Sequence, residues 1–306
     1  MPEIQPHLLL SFDLEDWHQL VARDLGCANW DAPNEGFERQ LRAIFGFLDG
    51  AGAKATFFLL GITMKNYPEI VAEIVSRGDE IACHGFGHDH VFRLSRDEFE
   101  RDLDLSLETI ARAGGPPPRG YRAPAFSINR DTLWAFDVLV ERGFEYDASQ
   151  YDSPKIPRRL GSMPRAPYRL MLPSGRSLIE FPLATARFRG WSLPVGGGSY
   201  WRVLPGAVLQ HALRRTGSDC ASLYFHPYEC DPQALRAPLP PKADARQRLR
   251  AGWYNLRYSI GRERVLPRLE RVARHFPVTS YHDALEKVRR DPTLRTRSLS
   301  PAGDIV

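Results

Sequence analysis

The stretch LLLSFDLEDWHQL, residues 8–20, decides how the rest of the chain is read. Leu8, Leu9, Leu10 and Phe12 make a short apolar run of the kind that forms a buried strand. Asp13, Glu15 and Asp16 then fall within four positions. Carboxylates that close repel one another, and burying any of them is costly unless a cation neutralises it. The end of the first strand therefore asks for a cation.

Working outward, short apolar runs alternate with helical spacing. FERQLRAIFGFLDGAG has the helical period and ends on glycines. Strand ATFFLL, helix YPEIVAEIVSRG, strand EIACH and helix SRDEFERDLDLSLETIARAGG follow, then strand GYRAP, helix NRDTLWAFDVLVERG and short strand EYDAS. Repeated βα units predict a parallel sheet with helices outside it, either barrel or doubly wound. No glycine-rich phosphate loop follows the first strand, which counts against a nucleotide-binding Rossmann fold. The regularity breaks over residues 152–205, rich in Pro, Gly and Arg. YRLMLPSGRSLIEFPLA reads there as a hairpin turning at PSG. LPVGGGSYWRVLP reads as a loop laid over a site. Strand CASLYFH resumes the core, and a helix near GRERVLPRLERVARH and strand FPVTSY close it. Residues 291–306 read as a flexible tail.

With 43% hydrophobic and 25% charged residues over 306 positions, the composition is that of an ordinary globular protein. No signal peptide is legible at the start and no apolar stretch is long enough to span a membrane. The four cysteines form no CxxC pair and read as reduced thiols, so a cytoplasmic location is expected. Charge is uneven. Residues 236–306 hold 14 Arg and 2 Lys against 7 acids, a net +9, which leaves −5 for residues 1–235. That asymmetry suggests an anionic contact, but the arginines are dispersed rather than run together, which argues against nucleic acid. Peripheral contact with a membrane, or with phosphates on a substrate, stays open.

In parallel βα folds, chemistry collects at the carboxyl ends of the strands. Five polar groups of residues stand there: Asp13, Glu15 and Asp16 after the first strand, His84 and His88 in HGFGH, Arg122 and Pro124 in YRAP, Asp147 and Ser149 in YDAS, and His226 in FHPYE. Two histidines four apart with an acid from another strand suit a divalent metal that keeps open positions for water and substrate. Such a metal is the cation the first strand asks for, with Arg122 as a second positive partner.

The set SFDLED, HGFGH, YRAPAF, YDAS and YFHP, in that order, resembles the NodB-type polysaccharide deacetylases, carbohydrate esterase family 4. It is similar to the branch that includes exosortase-locus deacetylases and neighbours ring-amide hydrolases such as allantoinase. The resemblance implies a distorted (β/α)7-type barrel over residues 1–290, with an insertion at 152–205 and a C-terminal extension at 236–290. It implies Asp13 as catalytic base, Arg122 as its partner, His226 as general acid and Asp147 as the carboxylate tuning that acid. His84 and His88 match the metal histidines. Leu14 stands where the commonest motif has its metal-binding acid, so the third ligand becomes Glu15 or Asp16. Strand alternation, which puts residues two apart on one face, favours Glu15. Pro124 and Tyr224 would border the acyl pocket, and Trp191, Tyr200 and Trp201 would stack on a sugar. Gly85 stands where the family carries a hydroxyl residue.

The activity implied is metal-dependent removal of an N-acetyl group from an amino sugar of a polysaccharide or glycan precursor, with Zn²⁺ first and Co²⁺ or Ni²⁺ next. A non-sugar amide hydrolase of the allantoinase kind and a non-catalytic glycan-binding protein are the competing classes.

Overall fold

A computed structural model describes residues 6–152, 160, 163–188, 191–300 and 302–306. The side chains of Glu35, Phe188 and Trp191 are outside the described set. The strands are β1 (His7–Leu14), β2 (Thr56–Leu59), β3 (Glu80–Cys83), β4 (Gly120–Tyr121), β5 (Tyr146–Asp147), β6 (Tyr168–Met171), β7 (Ser177–Glu180), β8 (Ala186–Phe188), β9 (Trp191–Leu193), β10 (Cys220–Phe225), β11 (Val278–Thr279) and β12 (Thr296–Ser298). The helices are α1 (Trp17–Asp24), α2 (Glu35–Ala51), α3 (Gly61–Asn66), α4 (Pro68–Ser76), α5 (Arg96–Arg112), α6 (Trp134–Glu141), α7 (Gly198–Val203), α8 (Gly206–Arg214), α9 (Ala245–Ser259), α10 (Val265–Ala273) and α11 (Tyr281–Arg290). The βα alternation expected from the sequence is present, and so is the 168–184 hairpin, with β6 antiparallel to β7.

Strands pair in the order β10-β1-β2-β3-β4-β5-β7. Past the end of β7, Leu183 bridges Ser222 of β10 in parallel, and that bridge closes a ring of seven strands. Closure by a single bridge makes the barrel distorted. GGG is part of this seam: Gly197 bridges Tyr224, and Tyr224 N–H donates to Gly196 O at 2.8 Å. The stretch expected as a loop over the site thus begins as a structural edge and runs on into α7.

Alternation along β1 divides two layers. Leu8, Leu10, Phe12 and Leu14 pack outward in one apolar cluster with α2 and α10, while Leu9 packs with Phe58, Ala82, Tyr146, Ile179 and Tyr281. Ser11, Asp13 and Glu15 share the parity of Leu9. Register then levels the strand ends. Phe12 is opposite Phe225, Leu59 opposite Cys83, and Cys83 opposite Tyr121. One residue further along each strand come Asp13, His226, His84 and Arg122, all on one rim.

The C-terminal end corrects an expectation. Residues 296–298 add β12 to the edge of β6, and Leu299 and Ile305 are buried against the cluster around Tyr168 and Leu170. Two apolar side chains with a pocket to fill order what composition alone marks as a tail. Among the described residues no helix is long and apolar enough to cross a membrane.

Candidate active site

Glu15 lies at the centre of the rim. Its Oε1 is 2.8 Å from His84 Nε2 and 2.8 Å from His88 Nε2, and its Oε2 is 3.7 Å from His226 Nε2. Burial would raise its pKa, but the charges of His88 and His226 and hydrogen bonds from His84 and His88 hold it well below the usual carboxylate range. Asp16 turns away to cap α1, accepting from His18 N–H at 2.9 Å. Burial pushes its pKa up to about 6. Of the two acids left open by the sequence, only Glu15 meets the histidines.

The donor set fits a divalent cation. Glu15, His84 and His88 offer ligand atoms within 4.8 Å of one another. His84 Nδ1 lies 2.7 Å from Arg122 O, a carbonyl that can only accept, so Nδ1 carries the proton. Its Nε2 then has a lone pair for a metal, or needs a second proton to bond Glu15. Holding a histidine by its far nitrogen is how proteins orient metal ligands. The loop carrying His88 is strained, with His88 at φ 59° and Gly85 at φ 75°. Asp102 of α5 anchors it, accepting from Phe86 N–H at 2.9 Å and Gly87 N–H at 3.0 Å. A Cβ at position 85 would come within 2.6 Å of that carboxylate, so glycine there makes room for Asp102.

Asp13 is buried against Arg122, whose Nη1 donates to Oδ1 at 2.5 Å and to Ser11 Oγ at 2.9 Å. The guanidinium also donates to Tyr281 OH at 3.0 Å and lies over the Phe58 ring at 3.9 Å. Burial works against its charge, and the adjacent Asp13 outweighs it, raising the Arg122 pKa. Asp13, Glu15 and His226 also form a group whose ligand atoms lie within 4.8 Å of one another. A carboxylate and an imidazole thus both lie beside Glu15.

The partner of His226 differs from expectation. Glu229 Oε2 accepts from His226 Nδ1 at 3.1 Å and from its backbone N–H at 3.1 Å. Arg202 Nε pairs with Glu229 Oε1 at 3.4 Å. Gly198 permits this arrangement, since a Cβ there would meet Glu229 Oε2 at 2.1 Å. Burial would lower the His226 pKa, but Glu15, Glu229 and Asp13 together raise it to about 9. Asp147 is occupied elsewhere, accepting from Ser149 Oγ at 2.6 Å and Ser149 N–H at 2.9 Å and facing Glu180. Two buried carboxyls in contact share a proton, and burial raises Asp147 above its ordinary value. Its expected tuning of His226 is therefore corrected in favour of Glu229, for which the spacing in HPYE was the available signal.

Pro124 and Phe126 form a tight turn beside the rim, with Phe126 at φ 54° and its ring 4.9 Å from Tyr224 and 5.1 Å from Tyr151. The Tyr224 ring lies 5.5 Å from the His226 ring, beside the candidate site. Trp201 does not: it is fully buried, its Nε1 donating to Val195 O at 2.9 Å and its ring edge-on to Phe225. An indole packed in the core has no face left for a sugar. Tyr200 is half-buried on α7, and Trp191 opens β9.

Residues 31–140 match the polysaccharide deacetylase family model. Over that segment the chain resembles the NodB-type polysaccharide deacetylases. Residues 153–286 match a second family, a domain of unknown function (DUF3473). A peptidoglycan deacetylase-like protein of Gibberella zeae is 34% identical over 100 residues, covering 33% of this chain and 29% of that protein. A peptidoglycan-N-acetylglucosamine deacetylase of Bacillus cereus is 34% identical over 83 residues, 27% of this chain and 30% of the relative. The matches to these two curated relatives thus span under a third of their length. A crystal structure of a Mycobacterium smegmatis protein assigned to the polysaccharide deacetylases superposes with a TM-score of 0.65 at 22% identity, covering 98% of this chain and 96% of that one. Its likeness establishes the shared barrel fold. The site draws on both matched segments and on the strand before them: Asp13 and Glu15 precede the first match, His84, His88, Arg122 and Asp102 fall within it, and His226, Glu229, Arg202 and Tyr281 fall within the second. The second family's segment is no separate module here, because it contains β7, β10 and β11 of the same sheet.

Proposed function

We propose that the chain is a metal-dependent hydrolase that removes an N-acetyl group from an amino sugar of a glycan or glycan precursor. The observation that carries this reading is the convergence of Glu15, His84 and His88 with Asp13 and His226 on one buried rim. Zn²⁺ suits two imidazoles and a carboxylate best, and Co²⁺ or Ni²⁺ would be tolerated. A cation held by these three residues supplies Lewis acidity toward a water and the amide carbonyl. Asp13, oriented by the hydrogen bond from Arg122, takes the proton of the attacking water. His226 holds its proton at Nε2 toward the centre, with Nδ1 on Glu229, and delivers it to the departing nitrogen. Pro124, Phe126 and Tyr224 form an apolar wall that fits a small acyl group. The relatives are named for peptidoglycan substrates, which supports an amino-sugar substrate class. The four free cysteines suit a reducing compartment, in keeping with a cytoplasmic location.

Acetate release by the purified, metal-replete protein from nucleotide- and lipid-linked N-acetylhexosamines and chito-oligomers, with ring opening of allantoin followed separately as allantoate, tests this reading. Release from an amino sugar by the wild type, and none by Asp13→Asn, is expected. Turnover of allantoin alone would overturn the sugar assignment.

A further inference from the structure

α9 carries its apolar residues on the wrong side for a packed helix. Leu249 is 77% exposed, Trp253 56%, Leu256 59% and Ile260, just past the helix end, 50%. Their spacings of four, three and four residues put them in one row. The opposite face does the packing. Ala251, Tyr254 and Tyr258 join a cluster with Trp17 and Tyr228, and Gln247 donates to Leu25 O at 2.8 Å. That face also locates the helix. The Tyr258 ring is 5.3 Å from Tyr228, which in turn stacks at 5.4 Å on His226. α9 therefore roofs the strand-end side of the barrel, one aromatic layer from the candidate general acid, with its apolar row turned outward.

Within α9 the charge is of one sign, although Arg250 is paired with Asp24 of α1 and Asp244 caps the helix. Residues 245–260 contain four arginines and no acid. Arg246 and Arg257 are exposed along the flank of the row. We propose that the outward row of α9 is a seat for an anionic lipid bilayer: Leu249, Trp253, Leu256 and Ile260 enter the acyl boundary and the flanking arginines meet lipid phosphates. An exposed apolar stripe with an aromatic residue and basic neighbours is the pattern of helices lying in the membrane interface. A second copy of the chain fits the row less well. Four side chains on a convex helix fall far short of the roughly 800 Å² per partner that a stable interface buries. The proposal stands independently of the hydrolase reading, since it concerns binding and not turnover.

Sedimentation of the full-length chain with phosphatidylcholine vesicles, with and without phosphatidylglycerol, tests it. Binding to the anionic vesicles that weakens with added salt is expected. Leu249→Ser with Trp253→Ser removes two anchors from exposed positions and should cut partitioning by about tenfold or more, with the melting temperature unchanged. Arg246→Gln with Arg257→Gln should erase the preference for anionic over neutral vesicles. Failure to bind either vesicle, or binding unchanged by the apolar double variant, would overturn the proposal. So would a concentration-dependent dimer that the same variant dissociates, which would make a second copy the occupant.

Discussion

At the scale of single residues, Glu229 carries the sharpest consequence. It fixes which nitrogen of His226 faces the centre and helps raise that histidine's pKa to about 9. A folded pKa raised above the ordinary histidine value keeps that proton in place to higher pH, so activity that needs it is lost on the alkaline side. Glu229→Gln keeps the shape and removes the charge. It should lower kcat by an order of magnitude or more, within the roughly 10²–10⁴-fold that general acid catalysis supplies. It should also move the alkaline limb of the pH–rate profile to lower pH. Asp147→Asn should leave that limb where it is, because Asp147 bonds Ser149 and faces Glu180 instead. Movement of the limb by Asp147→Asn would reverse the assignment.

At the scale of elements, strand ends and loops hold the site with different security. β1, β3 and β10 fix Asp13, His84 and His226 by ladder register, whereas His88 depends on a strained loop pinned by Asp102. Asp102→Ala should weaken metal affinity by about ten- to hundredfold, the range found when a residue orienting a metal ligand is removed. Calorimetric titration of the ion checks this, with the wild-type melting curve as a control for folding. What was legible in the sequence follows the same division. Asp13, Glu15, His84, His88, Arg122 and His226 stand at or just past the ends of apolar runs, and the two-residue alternation favours Glu15 over Asp16 without deciding between them. Asp102 and Arg202 were not legible as partners, because each reaches its target from a helix far away in sequence. Tyr281 starts α11 and meets Arg122 across 159 positions. The role of α9 was hidden for another reason: its packed face is Ala and Tyr while its Leu and Trp residues face outward, so its apolar period points the wrong way.

At the scale of the whole molecule, the two matched segments contribute to one sheet, and the last residues extend that sheet beyond the barrel ring through β6 and β12. Truncation after position 295 removes β12 and the buried Leu299 and Ile305. Losing two buried aliphatic side chains of about 1.5–3 kcal/mol each should destabilise the chain by several kcal/mol, read as a lower denaturation midpoint. An unchanged midpoint would restore the reading of residues 291–306 as a tail. The same unity explains why the site is assembled from residues between positions 13 and 281: closing a seven-stranded ring brings the first and last strands together. Barrel closure is also what puts an acid-rich strand end beside three histidines.

The most direct test of that arrangement is an anomalous difference map from crystals grown with Zn²⁺ or Co²⁺, for the wild type and for Glu15→Gln and Asp16→Asn. The expected result is one strong peak bounded by Glu15, His84 and His88, lost in Glu15→Gln and retained in Asp16→Asn. A peak coordinated by Asp16, or none at the two histidines under saturating metal, would contradict it.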